Sequence, residues 1–337
     1  MSHTVPTSHF LVRIACSTYN HAKFIAVALE GFVSQRTSFP FVVTVIDDAS
    51  TDGTQNVLAD YHRRHSDPAW SAGYERDTEY GNVTFFRHKE NSNCHFAVIC
   101  LRENHYSQKR PKGAYIKEWS GTEFLALCEG DDYWTDPFKL QKQVDYLKTH
   151  PDCTLCIHNA VEHWEDGSTP DRPFSELENR DYSGPELCER WTAPTASAVL
   201  RTSVLSMYQE IYQKVSWPVG DLPLFLCCAS RGKVHALPDV MAVYRKHPDG
   251  FTSRFDAMRF YAMGKFREEI PSVFGKEYEP SAVIWSTWHY TRCFALALSE
   301  KNFKLAAKAF QKSFLRHPSI ALRRFILLLK ERRNKHL

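Results

Sequence analysis

Nowhere in its 337 residues does the chain place 18 uncharged apolar residues together, so no stretch reads as a membrane span. Its start, MSHTVPTSHF, lacks the basic end and apolar run of a secretory leader. No GxGxxG follows the first apolar run and no GxxxxGK(S/T) occurs anywhere. A dinucleotide fold of the usual kind and a P-loop are both poorly supported. Cys153 and Cys156 form one CxxC, but no second CxxC and no HxxxH follows, which argues against a zinc knuckle. The ten cysteines, about 3% of the chain, are too sparse for a disulfide scaffold. Cys16, Cys100 and Cys128 lie inside apolar runs like small core residues, and a reduced, cytosolic setting is expected.

What is present is ordinary for a globular protein: 43% hydrophobic and 24% charged residues, enough for one large domain or two modest ones. The formal charge of +3 hides an asymmetry. Residues 301–337 carry eleven Lys or Arg against one acid, Glu331, so this segment is about +10 and the rest about −7.

The chain is organised around Phe124–Leu140, FLALCEGDDYWTDPFKL. A short apolar run stops at Glu129, Asp131 and Asp132, with Gly130 between them, and Pro137 then opens a helical pattern. A strand-to-helix turn accounts for a lone Asp-Asp. Three carboxylates within four residues repel one another unless a cation sits among them, and hard oxygen ligands suit Mg2+ or Mn2+.

Upstream, Leu11–Cys16 reads as a first strand, with Ser17, Thr18, Tyr19 and Asn20 as a turn and a helix over 22–35. Phe41–Ile46 is continuous and β-branched, as in a parallel strand buried on both faces, and ends in DDASTDGT before a helix over 55–65. A third strand is expected at Val83–Arg87, then an irregular basic stretch over 89–119. Alternating strands and helices predict an α/β, doubly wound, mostly parallel sheet. In such sheets ligands bind beyond the carboxyl ends of the strands, where Ser17–Asn20, Asp47–Asp48 and Glu129–Asp132 would lie together.

Past His150 the pattern mixes strands and turns. Asp221 opens an apolar helix and is placed to cap it. Arg245-Lys246-His247-Pro248-Asp249-Gly250 is a basic loop that suits phosphate, or a solvated turn. From Asp256 the chain reads as helices. The last, over 320–333, carries Ile320 and Phe325–Leu329 beside Arg323, Arg324, Lys330, Arg332 and Arg333, a pattern that suits an anionic membrane surface or packing on the protein.

Together these clusters resemble family 2 of the nucleotide-sugar glycosyltransferases, which have the GT-A fold. The match runs through VRIACSTYNHAKFI, VIDDASTDGT, ENHYS, ALCEGDDYWTDPFKLQKQVDYL, PTASAVLR, GDLPLFL and YRKHPDGFTS, in order, over roughly residues 10–255. It implies a GT-A domain over 1–255, with a nucleotide-sugar half at about 10–150 and an acceptor half at about 151–255, followed by a helical region over 256–337. It also implies that Ser17 and Tyr19 line the base and ribose pocket, with Asn20 beside them, and that Asp48 accepts a hydrogen bond from a pyrimidine N–H. The DXD motif falls on Glu129-Gly130-Asp131. Asp131 then binds the metal that bridges the donor diphosphate, with Asp132 beside it; Glu129 departs from the usual first Asp of the motif. Asp221 becomes the catalytic base, and Arg245 and His247 touch the diphosphate or metal.

The chemistry agrees. Glycosyl transfer builds an oxocarbenium-like centre while a diphosphate leaves, and needs a cation for the leaving charge and a separate carboxylate for the acceptor's proton. The expected function is an inverting, metal-dependent transferase using Mn2+ or Mg2+ and a nucleotide sugar, UDP first among them. The acceptor would be a glycan or lipid-linked glycan of a bacterial surface polysaccharide, met in the cytoplasm at the inner membrane face through the basic helix, with no nucleic acid involved. The alternatives are a nucleotidyltransferase, which would bring a Gly-rich basic loop after the first strand where STYNHAK stands, and an inactive sugar-nucleotide-binding module.

Overall fold

The computed structural model describes residues 10–189, 192–215, 217–250, 253 and 255–334, with side chains to residue 330. Phe251 and Thr252 of the last motif lie outside the described residues, as do Lys335 and the side chains of Arg332 and Arg333 in the basic tail.

Two compact units alternate along the chain, one made of Met1–Asp181, Ala193–Val204 and Gly232–Arg245, the other of Tyr182–Thr192, Leu205–Arg231 and Lys246–Leu337. Where a break near residue 255 was expected, the segment around Asp221 clusters with the helical end of the chain.

The first unit is a mixed sheet whose parallel centre is β1 (Val12–Thr18), β2 (Phe41–Asp47), β5 (Cys94–Leu101) and β6 (Phe124–Leu127), in the spatial order β6-β1-β2-β5. Antiparallel strands extend it on both sides. Next to β5 lie β4 (Gly81–Arg87) and β3 (Tyr74–Asp77), and next to β6 come β11 (Val199–Arg201), β8 (Cys153–Trp164), β12 (Lys233–Lys246) and β10 (Arg180–Tyr182). Two short strands lie off this path: β7 (Tyr133–Trp134) on β12 and β9 (Arg172–Pro173) on β8.

Every residue of β2 is buried, because both faces are covered. Phe41, Val43 and Val45 join Ile14, Phe96 and the helices α1 (Ile25–Val33) and α3 (Lys139–Thr149) in one core. Val42 and Ile46 point the other way, to Phe85, Ile99 and Trp119. The helix α2 (Thr54–His65) adds Leu58 and Tyr61 to the first core.

The register Thr18↔Asp47 and Ala15↔Leu127 brings the turns after β1, β2 and β6 to one sheet edge, as the motif spacing predicts. The strand β5 corrects the expectation for 89–119. CHFAVICL is a central strand with Cys94, Phe96 and Val98 in one core and Ala97, Ile99 and Leu101 in the other. Its charged flanks, His88-Lys89-Glu90 and Arg102, masked an eight-residue run that is buried on both faces.

A polar network crosses the first core. Lys139 is fully buried; its ammonium lies 4.0 Å over the Trp134 ring and donates to Gln143 Oε1 at 2.8 Å. Gln143 Nε2 in turn donates to the carbonyls of Cys156 (2.8 Å) and Ser197 (2.9 Å), and Trp134 Nε1 donates to the Ala196 carbonyl at 2.8 Å. The PTASAVLR motif is thus tied to α3 through buried hydrogen bonds.

The second unit holds α4 (Gly184–Glu189), α5 (Leu205–Lys214), α6 (Asp221–Ala229), α7 (Ala257–Phe274), α8 (Glu279–Ser299), α9 (Phe303–Phe310) and α10 (Pro318–Asn334). Asp256 caps α7 by accepting the Arg259 N–H at 2.8 Å, and Ala257, Cys293, Ala297, Leu305, Ala306 and Ala309 form a small-residue core among α7, α8 and α9. No helix among the described residues is long and apolar enough to cross a membrane.

Burial pushes the Lys139 amine down to about 7, against smaller upward effects of the Cys128 and Cys156 thiols. Unfolded, it titrates near about 10.4. Between those values the unfolded chain holds the extra proton, so wild-type stability should rise with pH relative to Lys139→Met, which has no such proton. Urea midpoints of both proteins from pH 7 to 10 would show the difference growing in favour of the wild type; parallel curves would place a charged lysine in the core.

Candidate active site

The turns after β1 and β2 are stitched together by their own polar groups. Asn20 N–H donates to Ser50 Oγ (2.8 Å), His21 N–H to Thr54 Oγ1 (2.9 Å) and Ala22 N–H to Asp52 Oδ2 (2.9 Å), while Asn20 Oδ1 accepts the Thr51 N–H at 2.8 Å. Asp47 accepts from Ser50 N–H (3.0 Å) and Gln55 Nε2 (2.6 Å). Asn20 (φ 57°) and Ala49 (φ 61°) both stand in the left-handed region, which Asn tolerates and Ala adopts only under constraint. The loops are built rigid before any ligand arrives.

Among the residues singled out in the sequence, Ser17 and Tyr19 are exposed, Tyr19 at 44%, where an aromatic face can meet a base. Asn20 uses its side-chain oxygen on the neighbouring loop. Asp48 is buried and engaged within the protein. Its Oδ1 accepts the His105 N–H at 2.9 Å, its Oδ2 accepts the Tyr106 N–H at 3.0 Å, and Lys112 Nζ lies 3.3 Å away. The ENHYS segment accompanies Asp48 because Asp48 holds it: Asn104 Nδ2 also donates to the Asp48 carbonyl at 3.0 Å.

The acidic turn is pressed onto β1. Gly130 N–H donates to the Ser17 carbonyl at 2.9 Å, and a Cβ at this position would stand 2.8 Å from Thr18 Cβ and 2.9 Å from Ile25 Cδ1. Glu129 and Asp131 are half-buried; Asp132 is buried and accepts the Arg245 N–H on Oδ1 at 2.8 Å. Burial, then the charges of Asp131 and Glu129, hold the Asp132 carboxyl well above the usual range. The same field reaches Cys16, whose thiol is pushed up by burial first and then by Glu129, Asp131 and Asp132. Asp132, expected at the substrate site beside Asp131, also latches this turn to the end of β12 through Oδ1.

Arg245 is equally engaged. Its Nε donates to the Asp131 carbonyl at 2.6 Å and its Nη1 meets the Glu165 carboxylate. The guanidinium lies 4.9 Å from the Phe24 ring centroid and 4.8 Å from that of Tyr133, a stacked placement that Lys could not reproduce.

One neighbour went unnoticed in the sequence: His21 Nε2 stands 3.6 Å from Asp131 Oδ2, with both side chains less than a fifth exposed. Only its place one residue after the STYN turn could have pointed to it. A crowd of carboxylates with an imidazole beside it fits a divalent cation.

Asp221 and His247 belong to the second unit. Asp221 is the first residue of α6, with Gly220 in the capping position, and its Oδ1 accepts the Leu222 N–H at 2.8 Å. His247 is buried, and its carbonyl accepts from Gly250 N–H (3.0 Å) and Ser253 Oγ (2.8 Å). A shallow cleft of about 320 Å³ lined by Asn159, Asp171, Arg172 and Leu177 contains none of the predicted site residues.

Gly130→Ala should lower stability by about 1–3 kcal/mol, since the β-branched side chains of Thr18 and Ile25 leave its methyl no room. Denaturant unfolding against wild type would measure it, and an unchanged midpoint would show that the turn shifts freely.

A model of the family described as glycosyl transferase family 2 matches residues 14–206. An uncharacterised protein of Mycobacterium tuberculosis is 36% identical over 238 residues, 70% of this chain and 59% of the relative, so the aligned part spans about three fifths of that protein. An uncharacterised glycosyltransferase of Nostoc sp. is 22% identical over 255 residues, 70% of this chain and 65% of its own length. Among solved structures, S. aureus TarS 1–349 in complex with UDP-GlcNAc superposes with a TM-score of 0.52 at 14% identity, over 96% of this chain and 92% of that one. The mannosyltransferase PcManGT of Pyrobaculum calidifontis, in complex with GDP-Man and Mn2+, gives 0.52 at 15% identity, over 95% and 87%.

Proposed function

The chain belongs to glycosyl transferase family 2, and from that premise we propose that it is an inverting, divalent-metal-dependent glycosyltransferase. It moves a sugar from a nucleoside diphosphate, UDP in the first instance, to a hydroxyl of a glycan or lipid-linked acceptor in bacterial surface polysaccharide or lipid-linked glycan synthesis. The observation that carries the reading is the rigid meeting of three strand-end turns at one sheet edge, with exposed Tyr19 on one and Asp131 on another. Solved structures of this fold that hold UDP-GlcNAc, or GDP-Man with Mn2+, support the donor class and the ion.

In the proposed reaction Tyr19 stacks on the nucleobase and Ser17 and Glu129 meet the ribose, while Asp48 keeps the 104–106 segment in place as a wall of the pocket. Asp131 would hold the divalent ion, which would supply positive charge to the departing diphosphate. Arg245 fixes the Asp131 backbone through its carbonyl, and Arg245 and His247 would touch the diphosphate or metal. The acceptor oxygen bonds to the anomeric carbon as the carbon–phosphate oxygen bond breaks on the opposite face, and the acceptor's proton passes to the Asp221 carboxylate. One displacement of this kind inverts the centre and needs no carboxylate nucleophile.

Asp221→Asn keeps the shape but cannot take the proton. Turnover should fall by about 10²–10⁴-fold with little change in donor affinity, whereas Asp131→Ala should remove metal-supported donor binding and turnover together. Binding calorimetry with UDP and Mn2+, beside product analysis over a panel of nucleotide sugars and lipid-linked acceptors, checks both. Near wild-type turnover in Asp221→Asn would remove it from the catalytic role.

The enzyme is further proposed to work peripherally at the cytoplasmic membrane face. Within its unit α10 packs inward through Ala321 and Leu328, with Phe325 against Phe294 and Phe314 and the Arg324 guanidinium 4.5 Å over Trp288. A second stripe, Leu322, Ile326 and Leu329, is 45–54% exposed, with exposed Arg323 and Lys330 alongside. Aliphatic insertion, together with about 1 kcal/mol per basic residue near an anionic surface, suits reversible attachment. Replacing Leu322, Ile326 and Leu329 by Gln should lower co-sedimentation with phosphatidylglycerol vesicles about tenfold or more while donor hydrolysis stays intact. Equal sedimentation of both proteins would exclude this face.

A further inference from the structure

We infer that His21 is a second protein ligand of the divalent cation, beside Asp131, and that its imidazole tilts the site toward Mn2+ and away from Mg2+. The inference rests on the proposed metal-dependent reading and adds to it a residue and a metal preference.

The spacing speaks first. His21 Nε2 and Asp131 Oδ2 stand 3.6 Å apart, beyond the range of roughly 2.7–3.2 Å in which an imidazole N–H and a carboxylate form a good hydrogen bond. Neighbouring ligands on an octahedral ion with bonds of about 2.1–2.2 Å stand about 3.0 Å apart, so closing by roughly half an ångström brings both atoms onto one ion. Both side chains are largely withdrawn from water, at 14% and 18% exposure, where a cation between them would be little screened.

Placement speaks second. The imidazole does not owe its position to Asp131. The His21 N–H is anchored on Thr54 Oγ1 at 2.9 Å, its carbonyl accepts the N–H groups of Phe24 and Ile25 (both 2.9 Å) at the entry to α1, and its ring meets the edge of Phe24 at 6.3 Å. On the other side Gly130 locks the acidic turn against β1, and Arg245 Nε holds the Asp131 carbonyl. Two independently braced backbones hold the two donor atoms near ligand spacing. Nor does the guanidinium of Arg245 fill the gap, since it is engaged by that carbonyl and by Glu165.

The chemistry then follows. Mg2+ takes oxygen ligands and releases water reluctantly, so a nitrogen donor does little for it, whereas Mn2+ accepts carboxylate and imidazole together and stands above Mg2+ for mixed nitrogen and oxygen sites. Asn at position 21 would put a weakly donating amide there and level the two ions.

Pulsed electron paramagnetic resonance of Mn2+ bound to the full chain, alone and with UDP or GDP, reads the ligand directly. The measurement is made in a His247→Ala background so that no other expected histidine ligand contributes. Modulation from a directly bound ¹⁴N nucleus is expected, and it should vanish in His21→Asn, with the Mn2+ over Mg2+ affinity ratio falling about tenfold or more. Circular dichroism and the urea midpoint confirm that the variant is folded. Mn2+ binding with no ¹⁴N signal, or with a signal unchanged by His21→Asn, overturns the role of His21 and leaves the metal-dependent reading standing. If the unsubstituted chain binds neither ion under any of these conditions, the metal-dependent reading falls and this inference with it.

Discussion

Repulsion among Glu129, Asp131 and Asp132 is the constraint to which the first unit is built. Two like charges about 4 Å apart in a protein-like medium repel by about 4 kcal/mol, several times the net gain of one hydrogen bond, at about 1 kcal/mol. Such a turn holds its shape only where the backbone is pinned from several sides. Gly130 supplies one pin by letting the turn lie against Thr18 and Ile25, and the Arg245 N–H supplies another by taking the buried Asp132 carboxylate. Asp132 differs from its neighbours in burial, and its carboxyl is held high. The fold thereby separates one buried acid that closes the structure from two that stay partly exposed.

The remaining loops are arranged around that turn with the same economy of motion. Asn20 and Ala49 adopt left-handed backbone conformations, and an Ala there costs on the order of 1 kcal/mol, compensated by the hydrogen bonds that cross between the two loops. Asp48 extends the bracing to residues 104–106. A donor entering this edge would meet walls already in place, so its binding energy would not be used to order the protein.

The parallel centre of the sheet and the meeting of three polar turns were legible in the sequence, because β-branched runs ending in Asp or Ser leave few alternatives. The strand at Cys94–Leu101 was not: its Cys and His residues carry little strand signal, and its two faces are buried by the two cores on either side of the sheet. The place of the acidic cluster at the sheet edge was legible; the different burial of its three acids was not. Asp131 and Asp132 are adjacent and chemically identical, and only the tertiary bond from the Arg245 N–H to the Asp132 carboxylate tells them apart. His21 was invisible for a related reason, since the Asp131 that faces it lies 110 residues downstream.

The last helix shows how an amphipathic pattern can conceal two interfaces. A single apolar stripe beside a basic one leaves a choice between packing on the protein and lying on a membrane. In α10 the apolar residues fall on two stripes about 100° apart around the axis. Ala321, Phe325 and Leu328 turn inward, while Leu322, Ile326 and Leu329 turn outward between that seam and the basic side carrying Arg323 and Lys330. Packing on the unit therefore does not exhaust the helix's apolar surface. Once α8 has fixed one stripe, the other is presented at a constant angle with cations along its border. A helix already packed on its unit would lose little conformational entropy on meeting a lipid surface, which favours the proposed attachment by modest aliphatic insertion and a few charges.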